Sequence, residues 1–181
     1  DAILQVSEDT RIAPERHDDV VPISADFNGD GLNDIIVFRN GVARLLTNTP
    51  RGEDAAGRFL ASELTHNANV YSADSGDLDG DGDLDIVYAY YSNGVRVNAC
   101  YNDGRGEFSD CQEVLLRSSR CDDRGAPRVH LAELSCDGAL DIFVTFAYLT
   151  NECPNILLAS SEGGKRFDPV SKLPNHFEDT R

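Results

Sequence analysis

Asp77-Leu78-Asp79-Gly80-Asp81-Gly82-Asp83-Leu84-Asp85 puts a carboxylate at every odd position of a nine-residue stretch, with glycine at positions 4 and 6. Two other stretches align with it. They are Asp26-Phe27-Asn28-Gly29-Asp30-Gly31-Leu32-Asn33-Asp34 and, more loosely, Glu133-Leu134-Ser135-Cys136-Asp137-Gly138-Ala139-Leu140-Asp141. The three copies start at 26, 77 and 133, intervals of 51 and 56 residues. Repetition at such a period marks an architecture in which one supersecondary unit recurs, and the interval suits a four-stranded sheet with its turns.

The flanks of each copy repeat as well. A short β-prone segment precedes the acidic stretch: Val20 to Ile23, Asn69 to Ser72, Arg128 to Leu131. An apolar run rich in β-branched and aromatic residues follows it, Asp34 to Phe38, Asp85 to Tyr90 and Asp141 to Phe146, so apolar that both faces of these strands are expected to be covered. A third strand is expected at Val42–Leu46, Val95–Ala99 and Ile156–Ala159. A glycine-bearing turn ending in Phe59, Phe108 or Phe167 then leads to a fourth, the Phe being placed to plug the sheet edge. No segment carries a sustained 3.6-residue apolar period, so the fold class is all-β.

Charge narrows the partners. The net charge of −16 opposes nucleic-acid phosphates and anionic membranes, and it favours cations. No apolar run approaches the roughly 18 residues of a membrane span, and no signal-peptide pattern opens the chain. Methionine is absent even at position 1, which points to a processed product or an excerpt of a longer chain. Cys100, Cys111, Cys121, Cys136 and Cys153 show no Cys-x-x-Cys spacing, which favours disulfides in an oxidising compartment over a zinc or redox site. No nucleophile elbow, phosphate loop or dinucleotide fingerprint is present, and His17, His66, His130 and His176 have no shared carboxylate or thiol cluster beside them. No catalytic residue is assigned.

The acidic stretches have a direct chemical reading. A hard divalent cation takes about six oxygen ligands, and alternating Asp or Asn side chains at positions 1, 3 and 5 can converge on one centre while glycine permits the tight wrap. In the first copy these are Asp26, Asn28 and Asp30; in the second, Asp77, Asp79 and Asp81; in the third, Glu133, Ser135 and Asp137, a poorer set. An EF-hand shares this opening but needs a bidentate Glu at position 12 between two helices, whereas position 12 here is Val37, Tyr88 or Val144 inside a strand. An acidic turn that binds nothing would leave up to five like charges within nine residues to repel one another.

These loops, with the Asn102-Asp103-Gly104-Arg105-Gly106-Glu107-Phe108 turn, resemble the FG-GAP and VCBS repeats, the group that includes the integrin α-subunit head. The resemblance implies Ca²⁺ as cofactor. It also implies that the position-7 carbonyl (Leu32, Asp83, Ala139) and the position-9 carboxylate (Asp34, Asp85, Asp141) complete each cage; four side-chain carboxylates in the second set, against three plus an amide in the first, then favour tighter binding by the second loop. It further implies a β-propeller of about seven blades in total, of which this chain supplies three. Residues 1–19 then form an outer strand and connector of a preceding blade, 20–66, 67–120 and 121–175 the three blades, and 176–181 the next connector. Glu8-Asp9-Thr10-Arg11 recurs as Glu178-Asp179-Thr180-Arg181, so the chain stops at the point in a blade where it began, and other blades of the same chain or further copies would continue the ring.

On this blade frame Cys100 and Cys111 flank one hairpin and are expected to pair; Cys121 with Cys153 is the second hypothesis, leaving Cys136 odd. The expected function is an extracellular or cell-surface binding or adhesion module. The resemblance to the integrin head implies that it would recognise a protein or glycan through the face opposite the calcium loops: the connectors near Arg16–Asp18, Thr65–Asn67 and Ser119–Cys121, and the turns at Arg39–Gly41, Tyr91–Asn93 and Tyr148–Asn151. A structural spacer in a filament or coat, and the propeller portion of a carbohydrate-active lyase or hydrolase, are the alternatives.

Overall fold

The computed structural model describes residues 21–39, 42–49, 58–66, 70–116, 127–146 and 154–170. Twelve strands form three four-stranded antiparallel sheets, and the described residues contain no helix. The first sheet is β1 (Val21–Ala25), β2 (Asp34–Arg39), β3 (Val42–Thr49) and β4 (Arg58–His66). The second is β5 (Val70–Gly76), β6 (Asp85–Tyr91), β7 (Val95–Tyr101) and β8 (Asp110–Leu116). The third is β9 (Pro127–Ala132), β10 (Asp141–Phe146), β11 (Ile156–Ser161) and β12 (Arg166–Pro169). Each is a meander in chain order. An up-and-down meander puts the first and third turns at one end and the second at the other, so each acidic loop lies beside the third turn of its own sheet.

The sheets pack face to face, and strand alternation divides β6 between two cores. Ile86, Tyr88 and Tyr90 join Phe27, Ile36, Phe38 and Leu45 of the first sheet. Val87 and Ala89 join Ile142, Val144, Phe146 and Leu158 of the third. Every residue of β6 from Asp85 to Tyr90 is therefore buried. Cover on both faces was expected for all three second strands, and it holds for the middle one. In β10, Phe143 and Thr145 are only half-buried, as is Ile35 in β2. They lie on the faces of the outer sheets that no other described sheet covers.

The inner strands meet edge to edge, where backbone groups lack a ladder partner. Side chains of β5 supply one. Ser72 Oγ accepts from Val129 N at 2.8 Å and Asp74 Oδ2 accepts from Leu131 N at 2.9 Å, so the inner edge of the third sheet is not left with orphaned donors.

Phe108 does not plug its own sheet edge. Its ring lies edge-on to Phe27 at 5.8 Å between centroids, in the core shared by the first two sheets, and Phe167 joins Leu78 in the core shared by the second and third. Each turn thus reaches back over the position-2 residue of the preceding loop. Phe59 and Phe167 also lie within β4 and β12 instead of ahead of them.

Cys100 and Cys111 pair across β7 and β8 and are joined by a disulfide. Cys136 is a free, exposed thiol, while Cys121 and Cys153 lie outside the described residues, as do residues 1–19 and 176–181.

Candidate metal centre

Each acidic loop closes a hairpin at its ninth residue: Ala25 pairs with Asp34, Gly76 with Asp85 and Ala132 with Asp141. Within the loop, short acidic side chains accept successive backbone N–H groups and so wind the chain around a small centre. In the second loop Asp77 accepts from Gly80 N at 2.7 Å and Gly82 N at 3.1 Å, Asp79 from Asp81 N at 3.3 Å, and Asp81 from Asp83 N at 2.9 Å. The first loop repeats this with Asp26 on Asp30 N and Gly31 N, Asn28 on Asp30 N, and Asp30 on Leu32 N. The third keeps Glu133 on Asp137 N and Asp137 on Ala139 N, but Ser135 turns away to Asp141.

Position 4 takes a left-handed backbone in all three loops, with φ of 71° at Gly29, 78° at Gly80 and 62° at Cys136. A side chain there is strained by roughly 1 kcal/mol. Cys136→Gly is therefore expected to raise stability by about 0.5–1 kcal/mol in a urea unfolding curve; a decrease would show that the thiol makes a compensating contact.

Position 9 does more than the family resemblance implies. Asp34, Asp85 and Asp141 are completely buried, and each uses both oxygens to tie its loop to the end of the third strand. Asp85 Oδ2 accepts from Leu78 N at 2.8 Å and Oδ1 from Asn102 N at 2.9 Å. Asp34 does the same with Phe27 N and Asn48 N, and Asp141 with Leu134 N and Ser160 N. Asn102, singled out in the sequence only as the start of a turn, extends this tie to the first sheet: its amide donates to Phe27 O at 2.7 Å and Leu84 O at 3.1 Å, and its oxygen accepts from Gly106 N at 3.0 Å. A contact spanning 75 residues leaves no local pattern by which to find it.

The second loop gathers its acids most closely. One oxygen each from Asp77, Asp79 and Asp85 lies within 4.8 Å of the others, and among the described residues no other His, Cys, Asp or Glu group converges in this way. All-oxygen donors, several of them anionic, suit a hard cation such as Ca²⁺ or Mg²⁺ and not a thiolate- or imidazole-seeking metal. Asp26, Asn28, Asp30, Asp34 and the Leu32 carbonyl occupy the same places in the first loop. In the third, Glu133, Ser135 and Asp137 are exposed, and no following sheet covers them among the described residues.

Crowding and burial raise the acids' affinity for protons. Burial, partly offset by the Asn102 and Leu78 N–H groups, pushes the Asp85 carboxyl up to about 6, with Asp79 and Asp81 adding to the rise. Burial raises Asp34 too, and the Asp83 carboxyl is raised by desolvation and then by the charges of Asp81, Asp103, Asp77 and Asp79. A raised carboxyl binds its proton more tightly folded than unfolded, so its contribution to stability is full below the ordinary value of 3.8 and is lost as the pH climbs through about 6. In chelator, the Asp85 carboxyl carbon is expected to titrate by NMR with a midpoint near 6. An ordinary midpoint would refute the desolvated environment.

Of the surfaces proposed for recognition, the Tyr91–Asn93 turn is described in full: Asn93 adopts φ 55°, and Arg96 Nε donates to Ser92 O at 3.0 Å. Arg39 and the backbone of Thr65 and His66 end strands β2 and β4, so His66 is the last residue of a strand and not part of a connector. Residues 16–18, 40–41, 67, 119–121 and 148–151 lie outside the described residues.

No curated protein matches the chain. A family of FG-GAP-like repeats matches it twice, over residues 26–88 and 77–144, each match running from one acidic loop to the second strand of the next sheet. The two overlap on the second loop and together take in about two thirds of the sequence. The chain belongs to the FG-GAP-like repeat family.

Proposed function

We propose that this chain is part of a calcium-stabilised β-propeller that acts outside the cell as a binding or adhesion module and performs no chemical step of its own. The observation that carries the reading is the convergence of Asp77, Asp79 and Asp85 in a loop of an FG-GAP-like repeat. Asp77, Asp79, Asp81, Asp85 and the Asp83 carbonyl would hold Ca²⁺ in the second loop, and the equivalent residues in the first. The ion would neutralise the like charges that the loop crowds together.

Other features support the same reading. The Cys100–Cys111 disulfide suits an oxidising compartment. Leu134, at position 2 of the third loop, is 49% exposed, whereas Phe27 and Leu78 at the same position are buried against the turn of the following sheet. A further blade, from the same chain or another copy, would cover it and extend the ring. A protein or glycan ligand would then meet the end opposite the acidic loops, where turns such as Tyr91–Asn93 are free to vary without disturbing the metal centres.

Titration calorimetry on chelator-treated protein, with a thermal melt alongside, tests the reading. Wild type is expected to bind Ca²⁺, gaining about 1.4 kcal/mol per site at tenfold excess over Kd. Asp77→Ala/Asp81→Ala should lose one of those sites. Absence of both heat and melting shift in wild type would remove calcium from the proposal.

A further inference from the structure

The turn between β11 and β12 is clamped onto the second acidic loop. Tyr101 Oη donates to Gly164 O at 2.8 Å, and Gln112 Nε2 donates to Lys165 O at 2.8 Å and to Tyr101 Oη at 2.7 Å. Burial pushes the Tyr101 phenol up to about 12, so it stays a donor at neutral pH. Gly164 lies so close that a Cβ on it would fall 1.7 Å from Leu78 O and 3.0 Å from Asp79 Cα. The next residue is Lys165. Its Nζ stands 3.4 Å from Asp79 Oδ2, with the Asp79 side chain 9% exposed and the lysine 62%, and 6.0 Å from the Tyr101 ring centre.

The turn over the first loop has the opposite charge. Gly106 faces Phe27 and Asn28 as Gly164 faces Leu78 and Asp79. One residue further on stands Glu107 in place of Lys165, and loop position 3 is Asn28 in place of Asp79. The following sheet therefore brings an ammonium to the loop with a carboxylate at position 3, whereas the residue after the matching glycine over the first loop is an acid.

We infer that Lys165 is a built-in counter-cation for the second loop: its ammonium neutralises Asp79 when the loop is empty and must be displaced when a divalent cation enters. This inference rests on the calcium reading above. Calcium loading of the second loop and the Lys165–Asp79 tie between the second and third sheets then oppose one another, and linkage makes the opposition reciprocal. The third sheet tunes a metal centre to which it contributes no ligand. The order of filling is also not set by the loop's own carboxylates alone, because those of the second loop work against the Lys165 ammonium.

The test uses the full chain with the first loop silenced by Asp26→Asn/Asp30→Asn, so that calorimetry reads the second loop. In that background Lys165→Ala and Lys165→Gln are expected to bind Ca²⁺ about three- to tenfold more tightly, the range expected from removing one partly screened charge beside the site. Lys165→Arg should keep the parent affinity. Thermal melts give an independent readout of opposite sign: in chelator Lys165→Gln melts below the parent, and in saturating Ca²⁺ the gap closes or reverses. Unchanged affinity in both neutral variants, with calcium heat still present, would overturn the role of Lys165 alone. Equal melting losses with and without calcium would do the same, making the lysine a plain strut. No heat in the parent or in any variant would overturn the calcium reading, and this inference with it.

Discussion

Gly164→Ala is expected to destabilise the chain by about 3–5 kcal/mol, the larger part of it from one backbone clash. The glycine sits at φ 73°, where a side chain costs roughly 1 kcal/mol by itself. The added Cβ would also fall 1.7 Å from Leu78 O and 2.5 Å from Leu78 C. Those atoms belong to a loop backbone pinned by the Leu78 N–H bond to Asp85, so no side-chain rotation relieves the overlap. Either the turn lifts, losing the Tyr101 and Gln112 bonds and the burial of Phe167, or the second acidic loop deforms. Gly163→Ala is the control: it has a similar φ of 66° and nothing within 4 Å of its added carbon, so it should cost only about 1 kcal/mol. Urea unfolding of the two variants should differ by at least about 2 kcal/mol. Equal losses would mean that the third sheet does not pack on the second as described.

What the sequence revealed and what it hid divide along the range of the interaction. The loops announced themselves because carboxylates at alternate positions, with glycine at 4 and 6, satisfy local turn geometry, and the apolar runs after them could only be strands. Strand lengths were less legible. β3 runs to Thr49 and β4 spans Arg58–His66, because their outer halves are polar on one face and carry no apolar signal. The double cover of β6, as against the single cover of β2 and β10, depends on which sheets stand beside them, and a hydrophobic run does not name its neighbours. The same holds for the site. Asp85 was legible as an acid in the right place, but its duty to Leu78 N and Asn102 N was not, because the second partner lies 17 residues away. The clamp from Tyr101, Gln112 and Gly164 spans more than fifty residues and was invisible until the sheets were stacked.

That double duty separates the acids of the second loop by experiment. Asp85→Ala is expected to cost about 2–4 kcal/mol even in chelator, because Leu78 N and Asn102 N each lose a buried acceptor at roughly 1–3 kcal/mol apiece, while removal of a desolvated charge returns part of the loss. Asp77→Ala should cost no more than about 1 kcal/mol under the same conditions, since the N–H groups it accepts from, Gly80 and Gly82, are exposed and can turn to water. With calcium present, both variants should lose the stabilisation that the ion gives to the second loop. Asp85→Ala thus falls below wild type with or without calcium, whereas Asp77→Ala falls clearly below it only when calcium is present. If the two variants behaved alike in chelator, position 9 would be no more than one ligand among several. If they diverge, the buried aspartate is the post on which the loop is built, and the other loop acids can change in number and charge without loss of the fold, as Asn28 and Ser135 show at position 3 of the other two loops.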